Sequence, residues 1–146
     1  MNRLMPMLGS LMLYGLSLAL PTFGFLYLNT NTVNIWHGIE VLVMGSLAIF
    51  YKQIGWYANM TYFVAVGLLW FRKWRSAAIV GLIGLLIALN TLLMFGQEFP
   101  HNGAGHLMRL QSLEAGFYCW IVGLSIPVLW SGWTLLQGPK QSERRS

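Results

Sequence analysis

Three long apolar stretches dominate the chain, over residues 7–28, 77–96 and 115–136. A helix that crosses a hydrocarbon core of roughly 30 Å needs about 20 mainly apolar residues, and each stretch meets that requirement. A lone strand would leave its backbone groups unpaired in lipid, so the pattern predicts helices. Pro21 and Pro127 fall inside the first and last stretches, where proline predicts a kink and frees a carbonyl. The first stretch follows the basic Arg3, as a cleaved signal peptide would. It is longer than an ordinary signal core and no convincing small-x-small cleavage site follows, so it reads as a retained span.

Residues 39–71 are too long for one straight span and short for two. Their apolar parts, 39–50 and 57–71, are separated by Tyr51, Lys52, Gln53, Ile54, Gly55 and Trp56. Either one full span follows a half-inserted or interfacial helix, or two short spans cross. If the first piece does not cross, seven of the nine Lys and Arg share one side: Arg3, Arg72, Lys73, Arg75, Lys140, Arg144 and Arg145. If both cross, the split becomes six against three. The positive-inside bias and the shortness of a 12-residue apolar run favour four spans with both termini cytoplasmic. Polar connections complete the pattern: an uncharged loop over 29–34 and a longer one over 97–111.

Composition agrees with a lipid solvent. Hydrophobic residues make up 56% of the 146 residues and charged residues 9%, against roughly 25% charged in a soluble domain. The net charge of +5 could suggest nucleic acid, but the basic residues lie at the ends of apolar runs and read as an orientation signal. No nucleic-acid partner is expected. Trp36, Trp56, Trp70, Trp74, Trp130 and Trp133 also fall near span ends, as headgroup-level anchors do. The fold expected is therefore all-α: an integral membrane bundle of four transmembrane helices with an amphipathic helix before the second span. It forms one domain over 1–137 with a polar cytoplasmic tail over 138–146, in a bacterial inner membrane.

Candidate chemistry is sparse. Cys119 is alone and Asp is absent, which removes paired-thiol redox and aspartate-dyad chemistry. No rhomboid-like Gly-x-Ser-Gly motif, P-loop or dinucleotide fingerprint appears. In the third span Ala77, Gly81, Gly84, Ala88 and Thr91 fall within about 80° of arc, a small-residue seam that lets helix backbones approach. Asn90 lies away from that seam, and an unpaired amide in lipid is costly, so this helix packs on two sides. It is either the bundle's centre or a bridge between subunits.

In the last span Gln111, Glu114, Tyr118, Ser125 and Gly132 share a stripe, with Glu114 near the outer end. His37 and Glu40 lie on one face of the amphipathic piece, three residues apart and within hydrogen-bond reach. Arg72, Lys73 and Arg75 form a basic turn suited to anionic lipid headgroups. His101 and His106 flank a flexible run and, with a carboxylate, are weak metal candidates. No metal site or cofactor is otherwise expected.

The functional expectation is association without catalysis, as a homo-oligomer or an accessory subunit of a larger membrane complex. Two alternatives stand beside it. One is an oligomeric channel or proton-coupled carrier using Glu40, Asn90 and Glu114; the other is a lipid-modifying enzyme using His37 and Glu40. The carrier and enzyme readings require His37, Glu40 and Glu114 to converge in one cavity.

Overall fold

A computed structural model describes residues 4–100 and 106–137. The chain is mostly helical, and a four-stranded antiparallel sheet, absent from the all-α expectation, sits at one end. Helix α1 spans Leu4–Ala19 and is followed by strands β1, Pro21–Tyr27, and β2, Thr32–His37. Helix α2, Gly38–Met44, continues into a 3₁₀ segment, Gly45–Tyr51. A 3₁₀ turn at Gly55–Tyr57 opens helix α3, Ala58–Trp70, and a tight turn leads to helix α4, Trp74–Leu89. Helix α4 runs on as a 3₁₀ segment, Asn90–Gly96, before strands β3, Glu98–Pro100, and β4, Leu107–Leu113. Helix α5, Ala115–Gln137, closes the described chain.

The first apolar stretch is thus not one kinked helix. Pro21 stops α1 because it has no N–H to donate and pushes the preceding residue toward extended backbone. The residues after it, Phe23, Phe25 and Tyr27, favour strands. Strand β1 pairs with β2 and with β4, so its backbone groups are satisfied in a sheet of order β2-β1-β4-β3. Asn31 takes a left-handed conformation, φ 54°, in the β1–β2 turn, which asparagine tolerates. The expected loops over 29–34 and 97–111 contribute to β2, β3 and β4.

The carbonyls at the end of α1 find donors beyond the helix. Leu20 O accepts from Gly38 N at 3.1 Å and from Thr22 Oγ1 at 3.1 Å. Glu114 N donates to Thr22 O at 3.0 Å, tying the start of α5 to the same corner. Gly38 and Gly116 make these joints possible. A Cβ on Gly38 would strike Ser17 O, and one on Gly116 would stand 2.7 Å from Pro21 O and 2.9 Å from Leu20 O.

Two of the helical segments, Trp74–Gly96 and Ala115–Gln137, are long and apolar enough to cross a membrane. Helix α4 lies between α3 and α5. Its buried residues are Ala77, Gly81, Gly84 and Ala88, with Thr91 buried in the 3₁₀ extension. Gly81 faces Val128 of α5 and Ala65 of α3, and Gly84 faces Thr61 of α3. The seam is therefore occupied within the chain. On the opposite side of α4 large apolar side chains stand open, including Ile79 at 61%, Leu82 at 51% and Leu86 at 62% exposure.

Pro127 remains inside α5 and leaves the carbonyl four residues earlier, Gly123 O, without its helical donor. Ser10 Oγ of α1 donates to that oxygen at 2.8 Å. The Ser10 hydroxyl also meets Tyr62 Oη of α3 at 2.9 Å; with the serine proton given to Gly123, the phenol donates to the serine. A relay of three groups so joins α3, α1 and α5. Tyr14 and Tyr62 stack beside it, centroids 4.9 Å apart.

Replacing Ser10 with Ala leaves Gly123 O buried without a donor and should lower unfolding stability in detergent by about 1–3 kcal/mol. In a Pro127→Ala background the restored N–H serves the same carbonyl, so the cost of Ser10→Ala should shrink. Equal costs in both backgrounds, measured as a double-mutant cycle, would remove the proline from this account.

Candidate functional site

A cavity of about 650 Å³ opens where the sheet, the α2 segment and the sheet-side helix ends meet. Its size falls in the range of roughly 300–1,000 Å³ that holds small-molecule ligands. One wall is the amphipathic segment, with Val41, Leu42, Leu47 and Ala48. A second is the sheet, with Phe23, Phe25, Trp36, Phe99 and Met108, and the floor is formed by Ser17, Asn59, Thr91, Gly116 and Trp120. Among the described residues, no Asp, Glu, His, Lys or Arg lines it.

Local sequence explains the opening. Helices α1 and α3 have 16 and 13 residues, about 24 and 20 Å long at 1.5 Å per residue, whereas α5 has 23. The shorter pair leaves room beneath the sheet, and the α2 segment lies across that room. It is held there by Trp56, whose Nε1 donates to Leu42 O at 2.7 Å and whose ring packs against Gly45.

Asn59, 9% exposed, organises the floor. Its Oδ1 accepts from Trp120 Nε1 at 2.9 Å and from Tyr14 Oη at 3.2 Å, while its Nδ2 donates to Trp56 O at 2.8 Å. One amide so links α1, α3 and α5. Gln53 stands at the turn after the 3₁₀ segment and is 2% exposed. Its Nε2 donates to Gln97 Oε1 at 2.7 Å, and its Oε1 is buried without a partner. The same turn is fastened by Asn90, whose Oδ1 accepts from Ile54 N at 2.8 Å, and by Thr91 against Gly55.

No known family model, curated protein or solved structure matches this chain.

The polar residues singled out by sequence are scattered. His37 and Glu40 are exposed at the β2–α2 junction, where Glu40 Oε2 accepts from His37 N at 2.7 Å and lies 3.6 Å from Nδ1. That is a helix-start arrangement. Glu114 stands at the start of α5 and accepts from Ser112 Oγ at 2.7 Å. None of the three lines the cavity, so the convergence required for a carrier or a lipid-modifying enzyme does not occur. Asn90 is used internally, Ser125 Oγ donates to Val122 O at 2.8 Å, and Tyr118 is exposed.

Arg72, Lys73 and Arg75 are exposed on the α3–α4 turn, Arg72 with a left-handed φ of 59°. His101 lies outside the described residues, as do Arg3 and the tail 138–146. His106 is exposed, and its Nδ1 lies 3.4 Å from Asn29 Nδ2. Among the described residues no three potential ligands gather where a metal could be held.

Sequence reasoning passed over Asn59, Gln53, Ser10 and Trp120. A signal was present for Ser10: the buried residues of α1 are Met7, Ser10, Tyr14 and Ser17, a polar stripe at helical spacing. Asn59 carried the same signal as Asn90, an amide in an apolar run. Gln53 gave none, because it falls in the polar break between two apolar pieces.

Substituting Asn59 with Leu strands the Tyr14 and Trp120 donors and should cost about 1–3 kcal/mol of stability. The penalty of Tyr14→Phe should then be smaller in the Asn59→Leu background than in the wild type. Additive penalties in chemical or thermal unfolding would dissolve the hub.

Proposed function

We propose that the chain is a four-span membrane protein that takes up an uncharged, lipid-soluble molecule in the cavity and performs no chemistry on it. The observation that carries this reading is the cavity itself: about 650 Å³, walled by aromatic and aliphatic side chains, with no Asp, Glu, His, Lys or Arg among the described lining residues. General acid–base catalysis needs a positioned titratable group, and the described lining offers no carboxylate, imidazole or amine.

The membrane placement rests on the two long apolar helices, on the open apolar side chains and on charge. Helices α1, α3, α4 and α5 run between the sheet end and the end that carries Arg72, Lys73 and Arg75. Basic residues favour the cytoplasmic side and its anionic lipids, so the sheet belongs outside and both helical termini inside. The α2 segment then lies in the outer interface with Ile39, Val43 and Ile49 turned to lipid. A ligand reaches the cavity from that leaflet rather than from water.

Association with another protein, the alternative role, finds support in the outer edge of β2. This edge strand of the described sheet is uncharged apart from His37 when protonated, and exposes Val33 and Ile35. Unblocked edges accept further strands. The α4 seam gives no such support, since α3 and α5 already fill it.

Two measurements test the main reading. With Cys119 replaced by Ala, single cysteines at Thr30 and Lys73 should react with a membrane-impermeant thiol reagent from opposite faces of sealed vesicles. Labelling from one face would reject four spans. Separately, dibrominated oleyl lipids should quench Trp36, Trp56 and Trp120 with a saturable component that Ala48→Phe, filling the cavity, removes. Strictly linear quenching would reject uptake.

A further inference from the structure

Strand β2 leaves backbone groups open along its outer side, and the hydrogen bonds around it identify them. Leu28 N, just beyond β1, donates to Leu107 O at 2.9 Å, so Leu28 turns its backbone groups toward β4. Successive residues of an antiparallel strand turn theirs to opposite neighbours. Tyr27 and Phe25 therefore face β2, and their partners Thr32 and Asn34 face β1. Val33 and Ile35 then carry N–H and C=O groups outward, and among the described residues nothing bonds to them there. His37 N, next in that outward row, is held by Glu40 Oε2 at 2.7 Å. The open edge thus consists of Val33 and Ile35, whose side chains are exposed, with the uncharged Asn34 between them.

We propose that a second copy of this chain covers this edge, pairing β2 with β2 in antiparallel register about a two-fold axis through Asn34. In that register Val33 stands opposite the second copy's Ile35 and Ile35 opposite its Val33, so every outward group exchanges a backbone bond. An axis through Ile35 would set Val33 against the second copy's His37, whose N–H Glu40 already holds. An axis through Val33 would set Ile35 against its Asn31, which has left the strand with a φ of 54°. Asn34 meets its counterpart at the axis, and an amide, carrying both donors and an acceptor, is complementary to a copy of itself. Other occupants lack a matching edge or cannot reach. Strand β3 has 3 residues, carries Glu98 and ends in Pro100, which has no N–H to give, so sheets do not add head to tail. Residues 1–3 and 138–146 adjoin the ends of α1 and α5 away from the sheet, and 101–105 join the two strands farthest from β2. The pairing gives the association role a partner and does not depend on what the cavity holds.

The test is a disulfide across the axis. With Cys119 replaced by Ala, Asn34→Cys sets two cysteines at a non-hydrogen-bonded position, with Cα atoms about 4.5 Å apart, inside the span of roughly 4.4–6.8 Å that a disulfide bridges. Mild oxidation of membranes holding the full chain should give about tenfold more covalent dimer than Thr30→Cys, whose copies lie beyond that span. Adding Ile35→Pro removes an outward N–H, leaves the β1–β2 ladder its bonds and should abolish the dimer. Ile35→Lys, at an exposed position, should do the same by charge and serves if the proline variant fails to fold. Equal dimer yields from Asn34→Cys and Thr30→Cys, a yield that survives both edge variants, or an adduct with a different protein in place of the dimer would each overturn self-pairing. None of these outcomes bears on uptake by the cavity.

Discussion

A backbone carbonyl deprived of its helical donor, in surroundings where water cannot replace it, is the constraint on which this architecture turns. Pro127 creates that condition at Gly123, and an unsatisfied group in an apolar medium costs several kcal/mol. The answer comes from a different helix, through Ser10, and Ser10 is met in turn by Tyr62. The proline thereby converts an internal helix defect into a link between α1, α3 and α5. Leu124 and Gly123 sit at the same level, and Gly123 lets the two backbones come close, with Tyr14 N 3.3 Å from where a Cβ would stand. Apolar packing between helices gives little orientation in lipid; hydrogen bonds of this kind do.

The bundle and the cavity are consequences of the same economy in polar groups. Below, the relay aligns three helices; above it, Asn59 repeats the device with Tyr14, Trp120 and Trp56. Because α1 ends at Ala19 and α3 begins only at Ala58, the sheet and the α2 segment roof the space over their ends. The roof is fastened through backbone groups at Leu20, Thr22 and Gly38, and through Trp56 and Asn90. Among the described cavity residues, Gln53 Oε1 is the buried side-chain atom left without a partner.

What could be read from sequence follows from how each element is solvated. The inward side of α4 is legible because small residues at 3.6-residue spacing contrast with large ones, and Ala77, Gly81, Gly84 and Ala88 are its buried positions. The amphipathic piece before α3 is legible from its two faces and its length, and it folds as Gly38–Tyr51. Strand β1 is not, because it is central to the sheet and Thr22 to Phe25 are all buried. Such a strand has no alternation, and a short apolar run cannot be told from a helix by period alone. Pro21 and the aromatic run after it were the available sign. The cavity was illegible for another reason: its lining comes from α1, all four strands, the α2 segment, α3, the 3₁₀ extension of α4 and α5, and only the closed fold brings them together.

The candidate polar residues of the sequence turned out to be dispersed because ionisable side chains here serve ends and edges. Glu40 starts a helix, Glu114 joins a strand to a helix, and Arg72, Lys73 and Arg75 mark a turn. Among the described residues the interior uses neutral groups instead, which is consistent with the uptake proposed above. An experimental density map of the protein in lipid nanodiscs, at a resolution that shows side chains, tests this account most directly. It should show an elongated, unbranched feature between the α2 segment and the sheet. A cavity filled by ordered water and open to the aqueous phase, or one collapsed by Trp56 and Trp36, would contradict it.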